Sequence, residues 1–360
     1  MRVLSQIPRS DGEGDLLAEL AAGHPYRRVA EVPAQFASHL AGALPPVALA
    51  RLHGAFVRGV LEMPRGKDDV VELLVERIKA HGGEVMFHER VQRLVTKGSR
   101  ATFVELADEG TTVGVQFVVG EMPALALTSL ATEFEPSRRA LAAVPTVTPR
   151  ARRFVVSMLV RKAGLPELLA RDVYIVGGPD EPPVHLQVDD VAPANVAGAR
   201  ASRPDGEPLA LLVAETLLPE GAAPRAFRER VLRIVEAHLP FIEQHYVLVD
   251  SPNDGRPLWD YRSGRRVSVE RALLRSGGGL VEPEPMVPQL EVSPAGLHGL
   301  AGDGLRTPLG NAFVVGPSVM PALGQEGELL SAWGAARIIT RTDRRKEKMR
   351  REMWSKIEIG

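Results

Sequence analysis

The stretch VVGPSVMPALGQEGELLSAWGAARII occupies residues 314–339. It begins within a β-type run, Phe313 to Val315, crosses a loop with Pro321, and continues into a segment rich in alanine and glycine. This order predicts a strand, a turn and a helix. A helix that begins near Gly324 and Gly327 presents unpaired N–H groups and the positive end of its dipole, which is where anionic or oxygen-rich ligands bind.

A second informative region, MPRGKDDVVELLVERIKAHGGEVMFHERVQRLV, spans residues 63–95. Asp68 and Asp69 suit a helix N-terminus, and the Gly82-Gly83 pair suits its end. Apolar residues recur on one face of this predicted helix at Val70, Val71, Leu74, Val75 and Ile78. Short runs rich in β-branched residues follow up to residue 120, which predicts a strand, a hairpin and another strand.

The remaining segments predict a second domain. Residues 1–63 are helical in pattern but interrupted by prolines, and they are predicted to form a cap. Residues 131–300 contain four longer candidate strands, RRFVVSMLV, DVYIVGG, PVHLQVDD and PLALLVAETLL, which suggest a mixed sheet. A long helix is predicted in APRAFRERVLRIVEAHLPFIEQH, ending near Pro240, and it is expected to cover that sheet.

Composition excludes several classes of protein. The chain has 360 residues, with 44 Lys and Arg against 45 Asp and Glu, so its formal charge of −1 gives no reason to expect a nucleic-acid binder. It contains no cysteine, which removes thiol, disulfide and cysteine-ligated metal chemistry. No segment has the apolar length of a signal peptide or a membrane span. A cytoplasmic protein is therefore expected.

The common catalytic and phosphate-binding motifs fail when tested. The glycines of DGEGDLL lack a preceding strand and a third glycine, so the dinucleotide fingerprint is absent. The Gly66-Lys67 pair lacks the earlier glycine and the hydroxyl residue of a phosphate-binding loop, and Met320 occupies the last glycine position of a nucleophile elbow. The nine histidines show no ligand spacing, so no metal is predicted. No catalytic residue is assigned.

The two regions together resemble phytoene desaturase-like proteins of the flavin amine oxidase superfamily. Residues 63–95 are similar to the P-x-G-G…L…L…GGE(V/I) block of that family, and TPLGNAFVVGPSVMPALGQEGELLSAWGAARIIT is similar to its C-terminal flavin segment. The resemblance implies an α/β (mixed α+β) fold. It consists of a partial FAD-binding domain of the Rossmann-like GR2 type and a mixed-sheet substrate domain with a helical cap. It also implies an FAD-dependent oxidoreductase that removes hydride from a C–H bond.

The resemblance also implies the cofactor site. The residues it assigns to FAD are Val91, Gly316, Pro317, Ser318, Leu323, Gly324, Gln325, Glu326 and Gly327. Val91 corresponds to the position that holds the adenine end, while Gly324 and Gly327 are expected to approach the ligand closely or to need unusual backbone angles. Pro317-Ser318 replaces the acid that many relatives use for the ribityl chain.

One departure from the family concerns the N-terminal βαβ unit with its glycine fingerprint, which is not found in the sequence. The ADP half of the site is therefore expected from a second polypeptide or from preceding sequence. The implied domains are a cap at 1–63, FAD-domain portions at 64–130 and 301–340, a substrate domain at 131–300 and a basic tail at 341–360.

Two alternatives remain open, and the substrate is only weakly constrained. A non-catalytic lipid-binding module of the GDP-dissociation-inhibitor type, or a structural subunit, fits the same features. Low aromatic content favours an apolar, isoprenoid or polyene substrate. The tail carries eight Lys or Arg against four acids, with Met349, Met353 and Ile357 at helical spacing. This pattern predicts either a solvated helix or docking on a partner or an anionic membrane surface.

Overall fold

The computed structural model describes residues 14–59, 66–87, 89–107, 110–131, 133–178, 181–191, 207–270 and 283–343. In chain order its helices α1 to α7 are Pro25–Ala37, Pro46–Arg58, Lys67–Ala80, Ala124–Ser129, Arg138–Ala142, Pro224–His238 and Gly324–Thr342. The strands β1 to β13 are Val91–Lys97, Arg100–Leu106, Thr112–Gly114, Val118–Gly120, Thr146–Arg161, Asp172–Ile175, Val184–Val191, Leu209–Pro219, Tyr246–Asp250, Leu258–Asp260, Val267–Val269, Pro288–Ser293 and Ala312–Val314. The predicted mixture of helix and sheet is confirmed.

The chain divides into two compact units. Unit 1 consists of the described residues within 14–21, 37–148 and 291–343. Unit 2 consists of the described residues within 22–36 and 149–290. These boundaries differ from the predicted ones, because the segment expected to be a single cap is shared between the units. Helix α2 buries Ala48 in the core of unit 1, whereas the end of α1 packs Phe36 against Tyr174 and His185 of unit 2.

Unit 2 is built on one large sheet with the strand order β11-β10-β9-β5-β8-β7-β6. The neighbouring pairs along this order are antiparallel, and β12 pairs with β5 off this path. Helix α6 carries the chain from β8 on one side of β5 to β9 on the other. Both strands pair antiparallel with β5, so β8 and β9 run parallel to each other on either side of it, as a helical crossover allows.

Helix α6 was predicted from its apolar periodicity, and the structure confirms it. Its inward side chains, including Val231 and Val235, are fully buried in the core of unit 2. The same helix also buries Arg228 completely. The guanidinium of Arg228 donates two hydrogen bonds to Asp254, of 2.6 and 2.7 Å, and a third of 2.8 Å to Pro257 O. Since a buried charge is tolerated only when it is paired, this bidentate ion pair stabilises the end of α6 against the sheet.

Unit 1 contains two small sheets. Strands β1, β2 and β3 form an antiparallel meander, and β4 and β13 form a parallel pair. Helix α7 follows β13 and buries its small residues Gly327, Ser331, Gly334 and Ala335, while Ala332 and Ala336 stay exposed. The predicted order of strand, turn and helix is therefore confirmed, and its small residues do allow close packing.

Helix α3 is also present where it was predicted, but its apolar stripe is not buried. Leu74 is 54% exposed and Ile78 is 45% exposed, and Val70 and Val71 are exposed as well. The sequence pattern therefore predicted the helix correctly, but it did not predict that the apolar stripe would be exposed. An amphipathic helix normally turns such a stripe towards a core.

The basic tail beyond Asp343 lies outside the described residues, so its predicted helix stays a prediction. A search for membrane-spanning helices in the described part of the chain found none with sufficient length and apolarity. The same residues contain no cluster of three or more potential metal ligands.

Candidate functional site

The turn after β13 is fixed by its own packing. Gly316 has a φ of 90°, a region that side chains disfavour, and a Cβ there would lie 2.6 Å from Glu121 Cγ. Its N–H donates a 2.9 Å hydrogen bond to Ser331 Oγ, which is fully buried on α7. The strand, the turn and the helix are thereby held together as one structural element.

The start of α7 is equally close-packed. Gly324 has a φ of 54°, and a Cβ at this position would collide with the carbonyl oxygen of Ala37. A Cβ at Gly327 would collide with the carbonyl oxygen of Met320. Both positions therefore exclude a side chain, and the groups that approach them belong to the protein itself. Gly324 has the unusual backbone angle that was predicted, and the predicted approach of a ligand stays a prediction. A valine at either position would disturb the local fold and would not be a clean test of ligand binding.

Residues 37–39 form part of this site. The His39 N–H donates to Pro321 O at 2.8 Å, and the Ser38 hydroxyl donates to the same oxygen at 3.0 Å. Ser38 Oγ also accepts a 2.9 Å bond from the N–H of Leu40. Sequence reasoning missed this segment because 283 positions separate Ser38 from Pro321, and no local pattern reports such a contact.

Three carboxylates surround the first turns of α7. Glu326 forms a bidentate pair with Arg51, whose Nε lies 2.6 Å from Oε2, and the side-chain hydrogen bond lowers the pKa of Glu326. Glu328 Oε1 lies 2.6 Å from His39 Nε2. Burial, and then repulsion from Glu328, raises the pKa of Glu121. Arg51 thus neutralises Glu326, which is the one of these acids in the first turn of α7.

Asp303 is a buried acid that the sequence gave no reason to select. Its N–H donates to Ser318 O at 2.8 Å, and its Oδ2 accepts a 3.0 Å bond from the N–H of Ala124 at the start of α4. Burial raises the pKa of this carboxyl and outweighs the bonds from Ala124 and Ser318 that lower it. Asp303 therefore connects the turn after β13 to the segment after β4.

The structure brings together most of the residues assigned to FAD. Eight of the nine, from Gly316 to Gly327, lie along the turn and the first turn of α7. Val91 is 42% exposed at the start of β1, where it pairs with Leu106 across the meander. The described contacts of Val91 are therefore with the hairpin, so its predicted role at the adenine end stays a prediction.

The residues present fit the flavin end of a cofactor, but they supply no pyrophosphate site. Helix α7 has 19 residues, no side chain caps its N-terminus, and Gln325 in its first turn is exposed. The first N–H groups of a helix have no partner within the helix, so those of Gln325 and Glu326 are available to flavin oxygens. The glycine-rich turn of a dinucleotide site has no counterpart in the described part of unit 1.

A different cluster of charged residues lies on β5 to β8 of unit 2. His185 Nε2 lies 3.0 Å from Asp172 Oδ1, its Nδ1 lies 3.7 Å from Glu215, and its ring stacks on Tyr174 at 4.5 Å. Arg153 donates a 2.5 Å bond to Glu215. Burial lowers the pKa of His185, but hydrogen bonds to Glu215 and then Asp172 outweigh it, so the pKa is raised overall. Burial raises the pKa of Tyr174 to about 12.

Comparison with known proteins establishes the fold. No family model and no curated protein matches the sequence. An oxidoreductase from Methanosarcina mazei superposes with a TM-score of 0.50 at 13% identity, over 89% of this chain and 68% of its own. The PF1083 protein from Pyrococcus furiosus superposes with a TM-score of 0.52 at 14% identity, over 92% of this chain and 68% of its own. The chain therefore shares its mixed helix-and-sheet fold with a solved oxidoreductase.

Proposed function

We propose that this chain supplies the flavin end of an FAD-dependent oxidoreductase of the phytoene desaturase-like kind. The observation that carries the proposal is the uncapped N-terminus of α7, which directly follows a close-packed glycine turn at the end of a parallel strand. This arrangement is typical of cofactor sites in α/β proteins. The fold shared with the oxidoreductase from Methanosarcina mazei supports the same class of chemistry.

Bound FAD would supply the redox chemistry, because it accepts the hydride from a C–H bond of the substrate. This chain contributes position and electrostatics. The N–H groups of Gln325 and Glu326 would donate to flavin oxygens, and the dipole of α7 would stabilise negative charge on the ring. Arg51 neutralises the carboxylate of Glu326, which would otherwise repel that negative charge. An apolar, isoprenoid or polyene substrate is part of the proposal.

The rest of the cofactor site is proposed to come from a further polypeptide segment that adds to β4. The N–H of Val118 donates to Asn311 O, and the carbonyl of Gly120 accepts from Val315 N, so both groups face β13. Because alternate residues of a strand direct their backbone groups to opposite edges, the N–H and C=O of Val119 face away from β13. Among the described strands, none pairs with that second edge.

Helix α3 supports the same completion. Parallel strands are normally found in sheets that are covered by helices on both faces, and a parallel pair of three-residue strands is a small fraction of such a sheet. The exposed stripe of Val70, Leu74 and Ile78 supplies an apolar helix face for a larger sheet. An added strand at β4, with α3 covering the extended sheet, would use both exposed features.

The flavin end is tested by removing a single main-chain donor. Gln325→Pro deletes one N–H in the first helical turn, where proline is tolerated and no helix hydrogen bond is lost. Gln325→Ala keeps the N–H and serves as the matched control. We expect the wild-type chain and Gln325→Ala to quench riboflavin fluorescence on titration, and Gln325→Pro to weaken binding about tenfold, since a charge-assisted or buried donor contributes about 1–2 kcal/mol. Equal binding by the two variants contradicts the proposed contact.

A further inference from the structure

A cavity of about 720 Å³ lies in unit 1 and includes none of the residues assigned to FAD. Its lining residues come from β2, from the segment before β4, from the loop around β13 and from the end of α7. They are Arg100, Gln116, Phe117, Arg306, Gly310, Phe313, Arg341 and Thr342. Its volume lies within the roughly 300–1,000 Å³ that small-molecule sites occupy.

The cavity carries excess positive charge. Three arginines line it, Arg100, Arg306 and Arg341, and within the part of the chain that the structure describes none of them is paired with a carboxylate. The nearby acid is Asp343, which accepts a 3.1 Å hydrogen bond from Gln116 Nε2. The carbonyl end of α7 adds partial negative charge, and Arg341 in its last turn offsets that. The lining residues include three arginines and no acid, which gives the cavity an attraction for anions.

The same cavity has an aromatic wall. The rings of Phe117 and Phe313 lie 6.2 Å apart, and the guanidinium of Arg306 lies 5.6 Å above the ring of Phe313. An arginine held on an aromatic face keeps its N–H groups directed outwards in the plane of the guanidinium, and they remain free to bind an anion. The cavity therefore presents a guanidinium group directly beside an apolar aromatic surface.

Buried Asn311 holds the walls of this cavity in place. Its Nδ2 donates to Ala101 O at 2.8 Å and to Gln116 O at 2.9 Å, and its Oδ1 accepts from the N–H of Ala101 at 2.8 Å. These bonds connect the residues next to Arg100 and Phe117 to the start of β13. The positions of the lining backbone are thus fixed before any ligand binds, which lowers the entropy cost of binding.

We propose that this cavity binds the phosphate groups of an organic phosphate or diphosphate, with the apolar part of the ligand packed on Phe117. Guanidinium groups match phosphate oxygens in bidentate geometry, and a diphosphate carries enough charge to neutralise the excess cations. A single carboxylate would balance only one of them. The ligand is either a soluble compound or the headgroup of an anionic phospholipid, because both present the same chemistry.

Two sets of titrations test the proposal and separate these sources. Calorimetry with pyrophosphate and with ADP measures the soluble ligands. Sedimentation with phosphatidylcholine vesicles, with and without phosphatidic acid, measures the lipid. The variants are Arg306→Gln and the double variant Arg100→Gln/Arg306→Gln, and the control is Arg139→Gln, an exposed arginine of α5 in the same unit.

We expect binding of at least one phosphate ligand, a loss of about tenfold in affinity for each arginine removed, and no change with Arg139→Gln. Binding to pyrophosphate or ADP identifies a soluble ligand, and tighter binding of ADP than of pyrophosphate reports the contact with Phe117. Binding only to vesicles that contain phosphatidic acid identifies the lipid. The proposal is overturned if no phosphate ligand binds, if the double variant binds like the wild type, or if Arg139→Gln weakens binding equally.

Discussion

Helices α3 and α6 have similar lengths and similar apolar periodicity, but they have opposite environments. Helix α6 has 15 residues and buries Val231 and Val235 completely against the sheet of unit 2. Helix α3 has 14 residues and leaves Leu74 and Ile78 about half exposed. Both helices carry an apolar stripe, so the difference between them lies in the surface of each unit against which the helix can pack.

The comparison shows that unit 2 buries the apolar face of its helix, whereas the described part of unit 1 leaves the apolar stripe of α3 exposed. Unit 2 closes its core with α6 and the Arg228–Asp254 pair. Unit 1 closes the side around α7 and leaves α3 and the second edge of β4 uncovered in the described part of the chain. The added segment proposed above would cover both exposed features.

The largest expected effect is in unit 2. Asp254→Ala removes the partner of a completely buried guanidinium, so we expect the free energy of unfolding to fall by about 3–5 kcal/mol. Urea unfolding followed by circular dichroism measures it. The control is Glu229→Ala on α6, the helix that carries Arg228, because the half-exposed pair of Glu229 with Arg256 should contribute less than about 1 kcal/mol. A small effect of Asp254→Ala would contradict the view that unit 2 has a tightly closed core.

A matched pair of isoleucines tests the comparison itself. Ile234 on α6 is 5% exposed and Ile78 on α3 is 45% exposed. We expect Ile234→Ala to cost about 2–4 kcal/mol, and Ile78→Ala less than about 0.5 kcal/mol, when the full chain is unfolded in urea. Comparable losses for the two variants would mean that α3 is already packed and that unit 1 needs no further segment.

A smaller effect is expected from pH. The folded-state pKa of His185 is raised above its ordinary value of 6.5. Its ion pairs therefore contribute stability that is fully present below about pH 6.5 and is lost as pH rises through the folded pKa. Stability measured from pH 6 to 9 should fall across this window, and His185→Gln should remove that fall. The exposed His24 provides the control variant, and a fall that persists in His185→Gln would assign the effect elsewhere.

The edge of β4 is tested by hydrogen exchange. The N–H of Val118 is bonded to Asn311 O at 2.9 Å, while that of Val119 faces the edge that no described strand occupies. We expect the Val119 amide to exchange at least about tenfold faster than the Val118 amide. Similar protection of the two would show that the second edge is already paired, and would remove the proposed place for an added strand.

The sequence predicted local elements well, and the reason is physical. The stripe of α3, the inward face of α6 and the strand, turn and helix of 312–342 all follow from periodicity, glycines and caps that act over a few residues. Gly324 was selected correctly as a position that excludes a side chain. The contacts that complete the site were not predictable, because Asp303, Asn311 and residues 37–39 act on partners far away in the chain.

Topology was also beyond the local pattern. The long strands of unit 2 were identified, but their antiparallel arrangement depends on β9 passing to the far side of β5 after α6. The segment predicted as a cap is divided for a similar reason: α1 and α2 have similar patterns, but nearly all of α1 belongs to unit 2 and α2 belongs to unit 1. Periodicity determines which face of a helix is apolar, but it does not determine the element against which that face packs.

The most direct test of the account compares FAD with riboflavin in fluorescence titrations of the full chain, repeated with Arg100→Gln/Arg306→Gln so that the arginine-lined cavity does not hold the pyrophosphate of FAD. If the described residues supply only the flavin end, the two ligands should bind weakly and with affinities within about threefold of each other, because the ADP part gains no contacts. Tight, stoichiometric binding of FAD that riboflavin does not match would contradict the account, since it would show that this chain alone holds both halves of the cofactor.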